Sequence, residues 1–404
     1  MPATISTPAG PERAADRRAH DAFRPWAAAM LWIGLVTLAV PAPAQQVGPV
    51  ADVVAPPVQG PPADEVTPAA PKKKRDILVA PVPLANPATG AGLAVGALLF
   101  YNPNDEPRQW QTVVGGVYTT RGTKGVAGFH NMSFGKDRLR VAATLSFMDV
   151  RNKYYGIGED AGDRGEILGL AIKQFNLQVQ ALHRIFPHGY AGVRYRLLTS
   201  DGESQDPATA TLAPPPDDEL NSTMSVIGPS FAYDTRDSSM QPHRGTYLNA
   251  VWLFGIKALG DSFSHDKLRI AANGYFPLSE RTVLAVRGSA CSAGGDAPYY
   301  DLCLFGSSND LRGYPSGRYR DGASWAVQGE VRRHIKGRWG AVAFFGLGGI
   351  APSLGGLFDD GNLLPAGGVG VRYRPFKAND VQLRVDVAAG KNDHGIYVGI
   401  AEAF

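Results

Sequence analysis

Between Asn309 and Asp321 the chain reads NDLRGYPSGRYRD, which gathers Arg312, Arg318 and Arg320 with two tyrosines and two glycines in a stretch of loop character. A guanidinium carries five donors in a planar fork that matches carboxylates in a fixed geometry. Gly313 and Gly317 permit backbone angles that a side chain would forbid, so the loop is expected to hold one shape. Binding of nucleic acid is the competing use for such a basic segment. Other chemistry is thinly represented. His183, His188, His243 and His265 have no serine or carboxylate at a spacing that suggests catalysis. No CxxC or HExxH spacing occurs, which argues against a metal site. An enzyme is therefore not expected, and neither is a cofactor.

The elements that must position these residues follow from export and periodicity. The longest apolar run, AAAMLWIGLVTLAV, spans 27–40, is preceded by Arg13, Arg17, Arg18 and Arg24 and is followed by PAPA. That is a signal peptide ending at residue 44. Its loss removes those arginines against Glu12, Asp16 and Asp21 and takes the formal charge from +3 to +2. A chain so near neutrality is a poor nucleic-acid binder. Residues 45–75 are rich in proline and end in PKKKRD, the composition of an extended periplasmic linker. Cys291 and Cys303 lie in an exported protein, so a disulfide between them is allowed, with two free thiols as the alternative.

From residue 76 to 404 the pattern is one of short alternating segments punctuated by Gly, Pro, Asn and Asp. In 138–148, Leu139, Val141, Ala143, Leu145 and Phe147 oppose Arg138, Arg140, Thr144 and Ser146. In 380–389, Leu383, Val385 and Val387 oppose Gln382, Arg384 and Asp386. Strands with one apolar and one polar face fit a soluble antiparallel sheet or a membrane barrel with a wet lumen, and export favours the barrel. About sixteen strands are expected, at 78–86, 90–101, 109–119, 124–134, 138–150, 167–184, 190–200, 222–234, 246–257, 266–276, 282–293, 324–335, 339–350, 366–375, 380–389 and 395–404. An even count puts both chain ends on one side, the periplasm, where connections are short. The opposite connections are longer and richer in Gly, Pro and acid. The fold class is thus an all-β transmembrane antiparallel barrel, and the Arg312 segment falls in its sixth extracellular loop.

With the loop placed there, the chain resembles the BamA/TamA superfamily of outer-membrane insertases and translocases. LRGY (311–314), GRYRD (317–321) and WAVQGEVRR (325–333) carry the resemblance. So do FAYDTRDSSMQPHRGTYL (231–248), KYYGIGED (153–160), PLANPATGAGLAVGALLFY (83–101) and the terminal Phe404. The resemblance implies that the loop folds inward and that Arg312 of the Arg312, Gly313, Tyr314 motif pairs with the barrel wall. Strand parity puts Gln328, Glu330 and Arg332 on the lumen face and makes Glu330 the first expected partner, with Asp386 the second. Family members often carry an aspartate on the next strand, where this chain has FFGLGG (344–349). They also usually carry POTRA domains, whereas this chain has only the linker, so it is read as a member lacking them.

Cys291 shares the lumen face of Arg287 and Ser289, where Cys303 could reach it. Asp234, Arg236 and Asp237 should satisfy backbone groups of a periplasmic turn and hold Gly245 in register. Phe404 is similar to the terminal aromatic by which such barrels are recognised for assembly, and Glu402 stands where an apolar residue is usual. The resemblance implies a bacterial outer-membrane protein acting in protein assembly, translocation or lipid handling. Its expected partners are outer-membrane lipid, barrel or secreted protein clients and a second copy of itself, with no nucleic acid. The alternative is a passive pore or structural barrel whose loop acts as a plug.

Overall fold

Alternation with period two makes strands whose apolar faces must be covered, and here lipid rather than a second layer would cover them. The computed structural model describes residues 76–86, 90–205, 211–238, 241–306, 310–358, 363–374 and 382–404. The signal peptide and linker expected at 1–75 lie outside the described residues.

The strands are β1 (Asp76–Asn86), β2 (Gly90–Tyr101), β3 (Trp110–Thr119), β4 (Lys124–Phe134), β5 (Leu139–Tyr154), β6 (Leu168–Phe186), β7 (Gly189–Gln205), β8 (Ser222–Asp234) and β9 (Gly245–Gly255). They continue as β10 (His265–Ser279), β11 (Thr282–Gly295), β12 (Cys303–Phe305), β13 (Tyr319–Asp321), β14 (Ala323–Lys336), β15 (Trp339–Ala351), β16 (Ala366–Tyr373), β17 (Leu383–Gly390) and β18 (Asp393–Ile400). All but β12 and β13 form one sixteen-stranded sheet in which neighbours in sequence pair antiparallel, with β11 next to β14. The short β12 and β13 make a separate ribbon inside the sixth long loop. Helix α1 (Glu159–Arg164) follows β5 and helix α2 (Asp217–Leu220) precedes β8.

The outward face is apolar along the strands, with Val327, Val331, Phe345, Val369, Val385, Val387 and Val398 exposed. Near the short-turn rim this face carries aromatic rings, such as Trp339 against Tyr373 and Trp110 against Phe134. The inward face is polar, with Gln328, Glu330, Arg332, Arg372, Arg384 and Asp386 buried. The sheet is strongly curled. At a strand spacing of about 4.8 Å, the ends of β5 and β17 would stand roughly 48 Å apart in a flat sheet. Yet Lys391, just after β17, lies 2.8 Å from Asp163 in α1.

The sixteen strands of the sheet correspond one to one with those expected, and the differences are local. β6 and β7 run on together at the loop rim, where Gly169 opposes Gln205. The alternation fades there because Leu168, Leu170 and Ile172 turn apolar side chains inward, where they are buried with Leu220 and Tyr299. β18 ends at Ile400 and not at 404, because Ala401 takes a left-handed φ of 70° and turns the chain inward.

Candidate functional site

The loop between β11 and β14 enters the lumen on an apolar footing. Phe305, Leu311, Tyr314 and Tyr319 pack with Ala326, Ile350, Leu364 and Ala366 in one buried cluster. The wall is made smooth for them. A Cβ on Gly346 would lie 2.4 Å from Leu311, and one on Gly348 equally close to Phe305. Gly346 and Gly348 of FFGLGG are thus the sockets into which the loop presses.

On this footing Arg312 is fully buried between two strands. Its Nη2 donates to Glu330 Oε2 on β14 and its Nη1 to Asp386 Oδ2 on β17, and both carboxylates are fully buried too. Nε and Nη2 also reach Gln328 Oε1, at 3.3 and 3.2 Å. The guanidinium lies over the Phe344 ring, 3.5 Å from its centroid. At the β15 position where an aspartate was looked for, this chain offers a π face to the cation and takes its second carboxylate from β17. Glu330 and Asp386 are engaged together; neither serves as a substitute for the other.

The next residues extend the grip. Gly313 adopts φ 125°, and a Cβ there would lie 2.9 Å from Ala366 Cβ and 3.0 Å from the Ala389 carbonyl. Its N–H donates to the Tyr397 hydroxyl on β18 at 2.7 Å. The Tyr314 hydroxyl donates to the Pro365 carbonyl at 2.6 Å and accepts from the Lys391 N–H at 2.9 Å. Arg318 ties the loop tip to both sides of the rim, donating to the Gly162 carbonyl at 2.9 Å and pairing with Asp393 at 2.8 Å. Arg320 is buried, its guanidinium within 5.5 Å of the Tyr154 and Tyr299 rings.

The ion network continues beyond the loop. Asp386 also receives Arg372 Nη1, and Arg372 Nε donates to Glu402 Oε2 at 2.6 Å. Glu330 Oε1 receives Arg332 Nε at 2.7 Å, while Arg332 Nη2 donates to the Phe404 carbonyl at 2.8 Å. The turn at Ala401 directs Glu402 and Phe404 into the lumen, where the Phe404 ring packs on Tyr275, Val283 and Ala285. Phe404 thus lies outside the strand in which it was expected. Gln328, Phe344, Tyr397 and Glu402 were not assigned to the site from sequence. The signal for Glu402 was a lone acid in an otherwise apolar final segment.

The remaining residues singled out from sequence lie elsewhere. Cys291 on β11 and Cys303 on β12 are joined by a disulfide that fastens the leading limb of the loop to the wall. In the turn between β8 and β9, Arg236 pairs in bidentate fashion with Asp234, both contacts at 2.8 Å. Asp237 accepts from the His243 N–H at 2.9 Å and the Arg244 N–H at 3.3 Å. Gly245 has φ 104°, and a Cβ there would collide with the Thr235 carbonyl. Among the described residues no group of His, Cys, Asp or Glu is arranged to hold a metal ion.

The fold is similar to that of BamA from Haemophilus ducreyi lacking POTRA domains 1-3, with TM-score 0.52 and 11% identity over 81% of this chain and 69% of that one. CdiB from Escherichia coli gives TM-score 0.55 at 13% identity, over 84% of this chain and 65% of CdiB. CdiB from Acinetobacter baumannii gives 0.52 at 11%, over 81% and 59%. The chain thus spans less than two thirds of either CdiB. No curated protein sequence matches it. The Omp85 superfamily domain matches residues 109–354, more than half of the chain. That match covers β3 to β15 and the whole anchored loop, so the chain belongs to the Omp85 superfamily and is a bacterial outer-membrane β-barrel, not an enzyme.

Proposed function

We propose that this barrel acts in protein assembly or translocation, or in lipid handling, at the outer membrane, by means of an anchored plug loop and a seam between β1 and β18 that opens. The observation that carries the reading is the shared ion network. Arg312 of the loop and Glu402 beyond β18 are joined through Asp386 and Arg372. Movement of the plug is therefore transmitted to the end of the seam strand.

The other side of the seam is weak by composition. In an antiparallel strand alternate residues direct their N–H groups to opposite edges. Pro81 and Pro83 have the same parity, so both remove donors from one edge of β1. Pairing with β2 is continuous from Asp76 to Asn86, which leaves the depleted edge facing the seam. Gly395 and Gly399 on β18 add no side-chain packing there. An edge that opens can pair with a client strand or thin the adjoining lipid. In this reading the short turns face the periplasm and the anchored loop faces outward.

Reconstitution into liposomes tests the proposal. Folding of a co-added small barrel client should run several-fold faster than in liposomes holding an unrelated barrel. Equal rates, with ion conductance as the sole effect of the protein, would sink it and leave the passive pore.

A further inference from the structure

We propose that the part of the lumen not filled by the loop is an anion-selective path, lined by Arg194 and Arg196 on β7, Arg269 on β10 and Arg287 on β11. The assembly role above is not a premise of this proposal. Residues directly opposite in an antiparallel pair share a face, which identifies the inward side. Cys291 faces in, since it is bonded to Cys303 of the loop. Arg269 is its partner across β10 and β11, and two residues along each strand at a time the same face brings Asn273 opposite Arg287. Arg287 in turn opposes Gln328, which touches Arg312. On β7, Arg196 reaches inward to Asn176 at 3.1 Å and to Asp301 of the loop at 3.6 Å. Arg194 shares its parity and donates to Gln180 at 3.1 Å. Outward neighbours such as Val193 and Ile270 are exposed toward lipid.

The sign of the charge on this wall is unbalanced. Among the described residues, the inward faces of β3 to β11 carry no carboxylate short of Asp234 at the end of β8. Their other polar groups are amides and hydroxyls such as Gln111, Asn131 and Asn176, together with Arg140, His265 and Lys267. Among the described residues, the loop carboxylates Asp301 and Asp310 reach the arginines. Asp301 is shared by Lys267, His265 and Arg196, and Asp310 lies 3.3 Å from Arg287. Arg269 is exposed to the lumen. On the opposite wall Glu330, Asp386 and Glu402 are each engaged by arginines, so they leave no compensating negative field. A low-dielectric wall bearing guanidinium groups raises the local concentration of small anions and repels cations.

The full chain in planar bilayers, under a KCl gradient of about tenfold, gives the test. The reversal potential should show chloride permeating several-fold faster than potassium. The preference should weaken as the salt rises from about 0.1 M to 1 M, because the screening length falls from about 10 Å to 3 Å. The Arg194→Gln, Arg269→Gln double variant should lose most of the preference, whereas Arg333→Gln on the outward face of β14 should keep it. Potassium preference, equal permeation or no conductance in the native protein would overturn the proposal. So would a chloride preference that ignores salt or survives in the double variant. The salt series uses the native protein alone, so the proposal stays open to disproof if the variant does not fold.

Discussion

At the scale of single residues, Arg312 is the group whose chemistry is least replaceable. Its removal would leave Glu330 and Asp386 buried with one fewer cation, and loss of one member of a buried ion pair destabilises by about 3–5 kcal/mol. Arg332 and Arg372 remain on those carboxylates, which places Arg312→Ala toward the lower end of that range. A lysine supplies a point charge and cannot span two strands as a planar fork does. The urea midpoint of the folded barrel, followed by its gel mobility without heating, should fall in the order native, Arg312→Lys, Arg312→Ala. Native-like stability of Arg312→Ala would mean that the loop is held by its apolar footing alone. Glu330 and Asp386 could be read from the sequence because alternation fixes which strand side chains face the lumen, whereas Arg312 was brought to them only by the resemblance of its loop motif. Phe344 could not, since a ring lying over a guanidinium leaves no periodic trace.

At the scale of elements, the loop has a stapled leading limb, an anchored middle and a tip tied to the rim. The leading limb carries Asp301, buried among Lys267, His265 and Arg196. Burial alone would raise its pKa, but Lys267, the His265 hydrogen bond and Arg196 outweigh burial and hold the carboxyl far below the usual range. A carboxyl with a depressed folded pKa contributes stability that is present above its unfolded value, about 4, and is lost as pH falls below it. The thermal midpoint should therefore drop between pH 6 and pH 3, and Asp301→Asn should flatten that dependence while lowering the midpoint at pH 6. An identical pH profile in the variant would assign the acid sensitivity to other carboxylates. The strands of the sheet were legible because each repeats its alternation over many residues. The β12 and β13 ribbon, α1 and α2 were not, since three to six residues are too few to establish a period.

At the scale of the whole molecule, the structure joins parts that lie far apart in the chain. Arg312 precedes Glu402 by five strands of the sheet, β14 to β18, yet they are linked through Asp386 and Arg372. The link was hidden in the sequence because it depends on the turn at Ala401, which points Glu402 inward from a segment that otherwise continues the strand pattern. Gln382 also donates to Glu402, so the tail is held from β16 and from the residue before β17. Sites without direct contact usually act additively to within about 0.5 kcal/mol, whereas members of one ion network couple by about 0.5–3 kcal/mol. A double-mutant cycle on Arg312→Ala and Glu402→Gln, read by urea unfolding, should give a coupling inside the second range. Removing either residue frees Arg372 or Asp386 to shift its remaining contacts, so the second removal should cost less than it does alone. Simple additivity would show that the plug and the end of the seam strand are held independently, and the mechanical link proposed between them would then have no energetic basis.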